Sequence, residues 1–218
     1  MKFSAPMGGR YDQLYPIINI VTPTSILEVG TWNGVRAILM MTRALQHRDN
    51  VSYNGFDLFE GGTPEIDAEE MNVKMHFSEG EVYENLMKWA GTLPASKAVN
   101  VHLYGGNTRE TLKRICPAAG ADLVFLDGGH SVETIESDYN NVRAAKIIVF
   151  DDYYVGSEID INKFGCNKIV QELPHCLLPA KDPVMGGGHT HFAVTGNPPI
   201  LAKIAKAFKV DVVRRTDT

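Results

Sequence analysis

The sequence contains few cysteines, no long apolar run and no excess of positive charge. Its three cysteines are an odd number without a C-x-x-C pair, which argues against a disulfide framework and indicates a reducing compartment. Apolar runs such as residues 147–150 have the length of a strand and fall far short of a membrane span. Residues 1–16 contain no apolar core for a signal peptide. These absences together predict a cytoplasmic protein that is not bound to a membrane.

The charge balance excludes further classes of partner. The chain carries 21 Lys+Arg against 26 Asp+Glu, a net charge of −5, whereas nucleic acids and anionic membranes attract clustered cations. With 44% hydrophobic residues the chain is not predicted to be disordered. At about 150 residues per domain, a length of 218 predicts a single domain over residues 1–218.

Within that domain, residues 1–24 are expected to form an N-terminal extension. Two segments, 60–81 and 152–168, look like loops that follow strand ends and are candidate lids or walls of a substrate pocket. The first of them, called the acidic segment below, carries seven acids against a single lysine.

Short apolar runs alternate with segments of helical period, which predicts an α/β fold with a mainly parallel sheet. The expected strands cover residues 25–29, 51–58, 100–104, 121–126, 147–150, 176–178 and 191–195. Asn107 and Ser131 are expected to cap the helices that follow them. The runs ADLVFLD and KIIVFDD are apolar throughout and end in carboxylates, which is typical of central strands whose C-terminal ends face a ligand.

The first strand ends in an acid, Glu28, and continues into a turn with Gly30 and Gly34. Gly30 permits a tight turn, and Gly34 allows a close approach of the next helix and the ligand. A dinucleotide site needs a middle glycine for its pyrophosphate, and Trp32 takes that place here. The loop therefore favours a nucleoside ligand without phosphates, with Glu28 near a cationic group.

Carboxylates also follow the other central strands. Asp57 ends the second strand, where such sheets bind the hydroxyl groups of a ribose. Asp127 ends the fourth strand, and Asp151 and Asp152 end the fifth, so the three should converge. Three like charges in contact resist ionising together unless a cation neutralises them, and Mg²⁺ prefers such oxygen ligands. His130 lies close enough in sequence to act as a proton acceptor; helix-capping or exposed turn acids are the alternative.

With these residues the chain resembles the class I S-adenosylmethionine-dependent methyltransferases over roughly residues 25–195. The motif E-x-G-T-x-x-G at 28–34 and the motif D-G-x-H at 127–130 are most similar to the metal-dependent O-methyltransferase branch, including enzymes that act on sugars and antibiotics. The resemblance implies a Rossmann-like seven-stranded sheet, mostly parallel, with an antiparallel last strand and helices on both faces. Arg36 departs from the pattern, because a small residue is common at this position.

The resemblance also implies an activity and a set of site residues. The activity is transfer of a methyl group from S-adenosylmethionine to a hydroxyl of a small molecule, assisted by Mg²⁺ or another divalent cation. Asp127, Asp151 and Asp152 would bind the metal, and His130 would be the catalytic base. The residues expected at the cofactor are Glu28, Gly30, Thr31, Gly34, Asp57, Asn107 and Asp127.

Three alternatives stay open. The protein could be a class I methyltransferase that acts without a metal, a nicotinamide oxidoreductase, which Trp32 disfavours, or a non-catalytic S-adenosylmethionine-binding protein of the same fold. The acidic segment argues against polyanionic acceptors such as nucleic acid. A homo-oligomer is also left open.

Overall fold

The computed structural model describes residues 9–115, 120–184 and 186–214, and its centre is a seven-stranded sheet. Strands β1 to β7 cover Ser25–Val29, Asn50–Asp57, Ala98–Gly105, Leu123–Leu126, Ile147–Val155, His175–Pro183 and His189–Gly196. Their spatial order is β3-β2-β1-β4-β5-β7-β6. The first five strands pair in parallel, and β7 is antiparallel to both of its neighbours. The predicted fold class, including the antiparallel last strand, is confirmed.

In the described ranges, eight α-helices surround the sheet. Helices α1 to α8 cover Leu14–Val21, Val35–Ala44, Pro64–Glu69, Glu79–Ala90, Thr108–Ile115, Val132–Val142, Asn167–Val170 and Pro198–Phe208, and 3₁₀ turns cover Arg10–Gln13 and Phe59–Gly61. Asn107 accepts a hydrogen bond from the backbone of Arg109 (2.9 Å), and Ser131 accepts one from that of Thr134 (3.2 Å). Both predicted caps are therefore confirmed. None of the helices in the described ranges is long and apolar enough to cross a membrane.

The apolar core has two layers, one on each face of the sheet. Helices α1, α2, α4 and α8 pack on one face, and α5, α6 and α7 pack on the other. Every residue of β4 is buried, as a strand covered on both faces requires. Fully buried side chains such as Phe125 and Phe150 each contribute about 1.5–3 kcal/mol through burial of apolar surface. Cys166 and Cys176 are free, buried thiols within these layers, whereas Cys116 lies outside the described residues.

The strand register brings the predicted site residues to one edge. Val29 pairs with Phe56 on one side and with Leu126 on the other, and Leu126 pairs with Phe150. The residue after each of these four positions therefore lies at the C-terminal edge of the sheet. This edge includes the point between β1 and β4 where the strand order reverses, which is where open α/β sheets bind ligands.

Several predicted segments differ in extent or structure from those observed. β5 runs on to Val155 instead of ending at Phe150, because residues 153–155 pair with residues 189–191 of β7 after a bulge. β6 extends to Pro183 for the same reason, since it also pairs with β7 across an irregularity. The acidic segment contains helix α3, which begins at Pro64 with Thr63 as its cap. Residues 10–21, within the expected extension, pack against the body through Leu14, Ile17 and Ile18, all fully buried.

Candidate active site

The turn after β1 requires glycine at its first position. Gly30 has a φ of +87°, and its N–H donates to the carbonyl of Phe56 at 2.8 Å. A Cβ at this position would overlap the backbone carbonyl of Asp127, because the ends of β1 and β4 approach closely. Trp32, two residues further along the turn, has a left-handed φ of +50°. Its N–H donates to Asp57 Oδ2 at 2.7 Å, so the turn and the predicted ribose-binding acid fix each other.

An open cleft, whose empty space of about 810 Å³ includes solvent at its mouth, lies over this edge of the sheet. Five of the predicted site residues line it: Gly30, Asp57, Asn107, Asp127 and His130. The acidic segment contributes further lining residues, including Ile66, Glu70 and Met75.

Three predicted cofactor residues are not part of this lining. Glu28 and Thr31 are buried beneath the turn, at 0% and 2% exposure. Gly34 faces helix α4, where a Cβ would lie 3.1 Å from Val82 and 3.2 Å from Leu86. The close approach at Gly34 is thus between helices of the protein.

Glu28 is a buried acid with one incompletely satisfied oxygen. Its Oε2 accepts a short hydrogen bond from the hydroxyl of Tyr53. Its Oε1 is 3.7 Å from Arg36 Nη1 and has no hydrogen-bond partner in the described part of the chain. Burial raises the pKa of Glu28 to about 8, although the Arg36 guanidinium opposes this shift.

Asp127, which follows β4, lies near Asp151 and Asp152, which lie at the bulge within β5, and two arginines join them. Asp127 is ion-paired with Arg36 through Oδ2, and Asp151 is ion-paired with Arg10 through Oδ1. The hydroxyl of Tyr11 donates to Asp151 Oδ2 at 2.8 Å and lies 3.4 Å from Asp127 Oδ2.

The electrostatic environments of Asp151 and Asp127 differ. Burial and the adjoining carboxylates of Asp152 and Asp127 raise the pKa of Asp151 well above its usual value. Burial also opposes ionisation of Asp127, yet the Arg36 guanidinium holds its pKa below the usual value. Arg10 and Arg36 therefore serve as counter-ions to Asp151 and Asp127 within the protein.

Asp152 is directed toward His130 by the bulge in β5. The register shifts between Phe150 and Tyr153, and Asp152 adopts a left-handed φ of +53°. Bulges of this kind redirect side chains next to functional sites. His130 Nε2 lies 3.2 Å from Asp152 Oδ2, so the carboxylate can orient the imidazole and stabilise its protonated form.

A group of ligand atoms with metal-binding spacing is present, but its membership differs from the prediction. One atom each from Asp127, His130 and Asp152 lies within 4.8 Å of the others. Asp151 does not belong to this group; its Oδ1 is paired with Arg10 and its Oδ2 with Tyr11. A divalent cation at this site would therefore be held by Asp127, His130 and Asp152.

The acidic segment covers the cleft and is fastened at Glu70. This side chain accepts hydrogen bonds from Ser131 N at 2.7 Å and Ser131 Oγ at 3.0 Å, and its Oε1 lies 3.4 Å from Arg109 Nη2. The carboxylate thus lies at the N-terminus of α6, where the helix dipole favours an anion. On the opposite side, Trp32 Nε1 donates to the carbonyl of Met75 at 3.0 Å.

Arg10, Tyr11 and Glu70 were not predicted as site residues. No spacing relates residues 10 and 11 to Asp151, 140 residues further on, so their convergence is a property of the fold. A signal did exist for a cation: three converging acids require one. Arg36 was noticed only as a departure from the family pattern, and its ion pairs give that departure a physical reason.

Comparison with known proteins adds a family and a set of similar folds. The sequence profile described as "Methyltransferase domain" matches residues 27–153, more than half of the chain. No curated protein sequence matches the chain with significance.

Solved structures resemble it over most of its length. A candidate O-methyltransferase from Klebsiella pneumoniae has a TM-score of 0.56 at 15% identity, covering 89% of this chain and 83% of that one. The O-methyltransferase TomG from Streptomyces achromogenes, involved in tomaymycin synthesis and solved with S-adenosylmethionine, has 0.54 at 13%, covering 86% and 79%. An O-methyltransferase from Bacillus cereus, solved with S-adenosylhomocysteine, has 0.54 at 16%, covering 88% and 81%. At these identities the likeness shows the fold alone.

Proposed function

The chain belongs to the family of methyltransferase domains, and from this premise we propose that it transfers a methyl group from S-adenosylmethionine to a hydroxyl of a small molecule. The observation that carries the proposal is the placement of Asp57 and His130 in one cleft at the point where the strand order reverses. The O-methyltransferases TomG and that of B. cereus, solved with S-adenosylmethionine and S-adenosylhomocysteine, agree with it.

The cleft suits the proposed cofactor in chemistry. Asp57 has carboxylate oxygens that hold backbone N–H groups of Trp32 and Phe59 and retain lone pairs for ribose hydroxyls. Asn107 also lines the cleft, and the family resemblance implies that it lies near adenine. Glu28 Oε1 lies buried beneath the turn without a hydrogen bond among the described residues and retains an acceptor lone pair there. These residues fit the cofactor, which would supply an electrophilic methyl group on a sulfonium.

His130 would accept the proton of the acceptor hydroxyl. In the reaction a carbon–oxygen bond forms as the carbon–sulfur bond breaks, and the hydroxyl proton must leave the oxygen. His130 Nε2 lies 3.2 Å from Asp152 Oδ2, so the tautomer with its proton on Nε2 leaves the ring's lone pair on Nδ1, which can take that proton. Asp152 then stabilises the imidazolium that forms. In this proposal His130 is the catalytic base and Asp152 its positioning residue.

The sequence also predicts assistance by Mg²⁺. The spacing of ligand atoms in Asp127, His130 and Asp152 supports such a site. The ion pairs of Arg10 and Arg36 with Asp151 and Asp127 compete with it, because a guanidinium already neutralises each of these acids. These two ion pairs therefore favour a methyltransferase that acts without a metal.

Other predictions about the protein's setting are retained as proposals. They are a cytoplasmic location, a small-molecule acceptor and the absence of nucleic-acid or membrane partners. The acidic segment over the cleft supports a neutral or cationic acceptor over a polyanion.

Two measurements test the proposed function. S-adenosylhomocysteine should raise the melting temperature, whereas NAD should not; stabilisation by NAD alone would overturn the proposal in favour of an oxidoreductase. In an acceptor panel, His130→Ala should lower turnover by about 10²–10⁴-fold while binding S-adenosylhomocysteine as the unaltered protein does. His102→Ala, an exposed histidine on β3, is the matched control. Full turnover by His130→Ala would remove the base from the mechanism without affecting the cofactor assignment.

A further inference from the structure

We propose that Arg10 and Arg36 supply the positive charge that a divalent cation would bring to the carboxylates of Asp127, Asp151 and Asp152, so that the acceptor site needs no metal. This inference deepens the proposed function and rests on it for the identity of the site. It reverses the Mg²⁺ expectation drawn from the sequence, although the premise is the same: the clustered acids need a counter-ion.

The charge of the cluster is nearly balanced by the protein itself. Three carboxylates and two guanidiniums leave a formal charge of −1, and Asp151 and Asp127 are almost fully buried, with side chains 2% and 3% exposed. A divalent cation added to this arrangement would make the centre net positive and would face two fixed arginines at short range. Such repulsion is poorly screened in a buried site.

Three carboxylate oxygens of the cluster already have partners in the protein. Asp151 Oδ1 is paired with Arg10 and accepts the N–H of Asp152 at 2.8 Å, while Oδ2 accepts from Tyr11. Asp127 Oδ2 is paired with Arg36. Mg²⁺ binds at about 2.0–2.1 Å from its ligand oxygens, so it could reach these atoms only by displacing a guanidinium.

Aromatic rings hold the two guanidiniums in place. The Arg36 guanidinium carbon lies 4.0 Å from the ring centroid of Tyr11 and 5.0 Å from that of Phe125. The Arg10 guanidinium carbon lies 5.2 Å from the ring of Tyr11 and 5.1 Å from that of Phe192. Cation–π contacts in a desolvated setting strengthen the retention of both arginines.

Arg10 has further partners that fix its direction. Its Nη1 donates to Thr190 Oγ1 at 3.0 Å, and its Nε lies 3.1 Å from Asp182 Oδ2 on β6. Displacement of Arg10 by a metal would break these contacts and leave a buried guanidinium unpaired, which is costly. The arginine is thus part of the structure of the site.

The two arginines do not interrupt the contact between His130 and Asp152. Asp152 Oδ1 is 3.9 Å from Arg10 Nη1, the longest of the ion-pair distances in the cluster, while Oδ2 faces His130 at 3.2 Å. The arginines therefore pair most closely with Asp127 and Asp151, and Asp152 Oδ2 stays directed at the imidazole. Arg10 and Arg36 are positioning residues in this scheme.

The test is the response of the melting temperature to Mg²⁺ and Mn²⁺, measured with and without S-adenosylhomocysteine. In the unaltered protein, neither cation nor EDTA should move the melting temperature by more than about 1 °C. Arg36→Met removes one guanidinium charge while keeping an unbranched stem, and it should gain a cation response of about 5–10 °C at 100 times the dissociation constant. Arg36→Lys, which keeps the charge, should not gain it. Arg10→Met is a second variant with the same expected gain if Arg36→Met does not fold.

Two results of these measurements would overturn the inference. Stabilisation of the unaltered protein by Mg²⁺, lost in Asp152→Asn, would overturn the inference and restore the metal site. Folded methionine variants without any cation response would also overturn it, because the arginines would then not be replacing a cation. Stabilisation by S-adenosylhomocysteine is read independently, so a failure of the proposed function is distinguished from a failure of this inference.

Discussion

Asp138 is a buried carboxylate whose ionisation should cost the protein stability. It lies on α6 with 2% exposure, and its Oδ1 has no hydrogen-bond partner in the described part of the chain. Burial raises its pKa to about 7, although a hydrogen bond with Thr108 opposes the shift. The folded protein therefore holds this proton up to about pH 7, whereas the unfolded chain loses it near pH 4. The native state binds more protons in that window, so its stability falls as the pH rises through it.

Asp138→Asn should remove this pH dependence. A shift of about three pKa units corresponds to about 4 kcal/mol at full ionisation, of which about 2–3 kcal/mol develops between pH 5 and pH 8. Denaturant unfolding of both proteins at pH 5 and pH 8 measures it: the stability of Asp138→Asn relative to the unaltered protein should increase between these values. Asp211→Asn, at an exposed position, serves as the control. Parallel pH profiles for Asp138→Asn and the unaltered protein would refute the reasoning.

Three further substitutions test the site's construction. Gly30→Ala should destabilise the fold by about 3 kcal/mol in denaturant unfolding, since its Cβ would overlap the carbonyl of Asp127; an unchanged midpoint would contradict the close approach. Glu70→Gln should weaken the bonds to Ser131 by about 2 kcal/mol and speed amide exchange in residues 63–78, with exchange elsewhere as the internal control. Asp152→Ala should be less stable than Asp152→Asn by about 1 kcal/mol, because asparagine tolerates the left-handed backbone; equal stabilities would argue against the bulge geometry.

Much of the fold could be predicted because local patterns report on it directly. The fully apolar β4 is read correctly from its composition, and the caps at Asn107 and Ser131 are read from their own side chains. The end of β5 was not predictable in the same way. Its last residues pair with β7 after a bulge, and a pair of acids reads locally as the end of a strand.

The candidate site could be predicted only in part. Strand-end acids are recognisable, because parallel strands bring their C-terminal ends together. Which cation neutralises them is decided by residues from other segments, and neither Arg10 nor Arg36 carries a local signal of its partner. The burial of Glu28 beneath the turn also depends on the packing of Tyr53 and Arg36, which the motif does not encode.

The pairing of Arg10 with Asp151 has a consequence for folding. Tyr11 and Asp151, which meet beside this ion pair, are separated by 140 residues, and closing a loop of that length costs about 4 kcal/mol beyond a constant. During synthesis the arginine emerges long before the acids, so the acids lack this counter-ion until β5 has been made. Completion of the site is therefore a late, non-local event, and folding-rate measurements should place the contacts of Arg10 after the transition state.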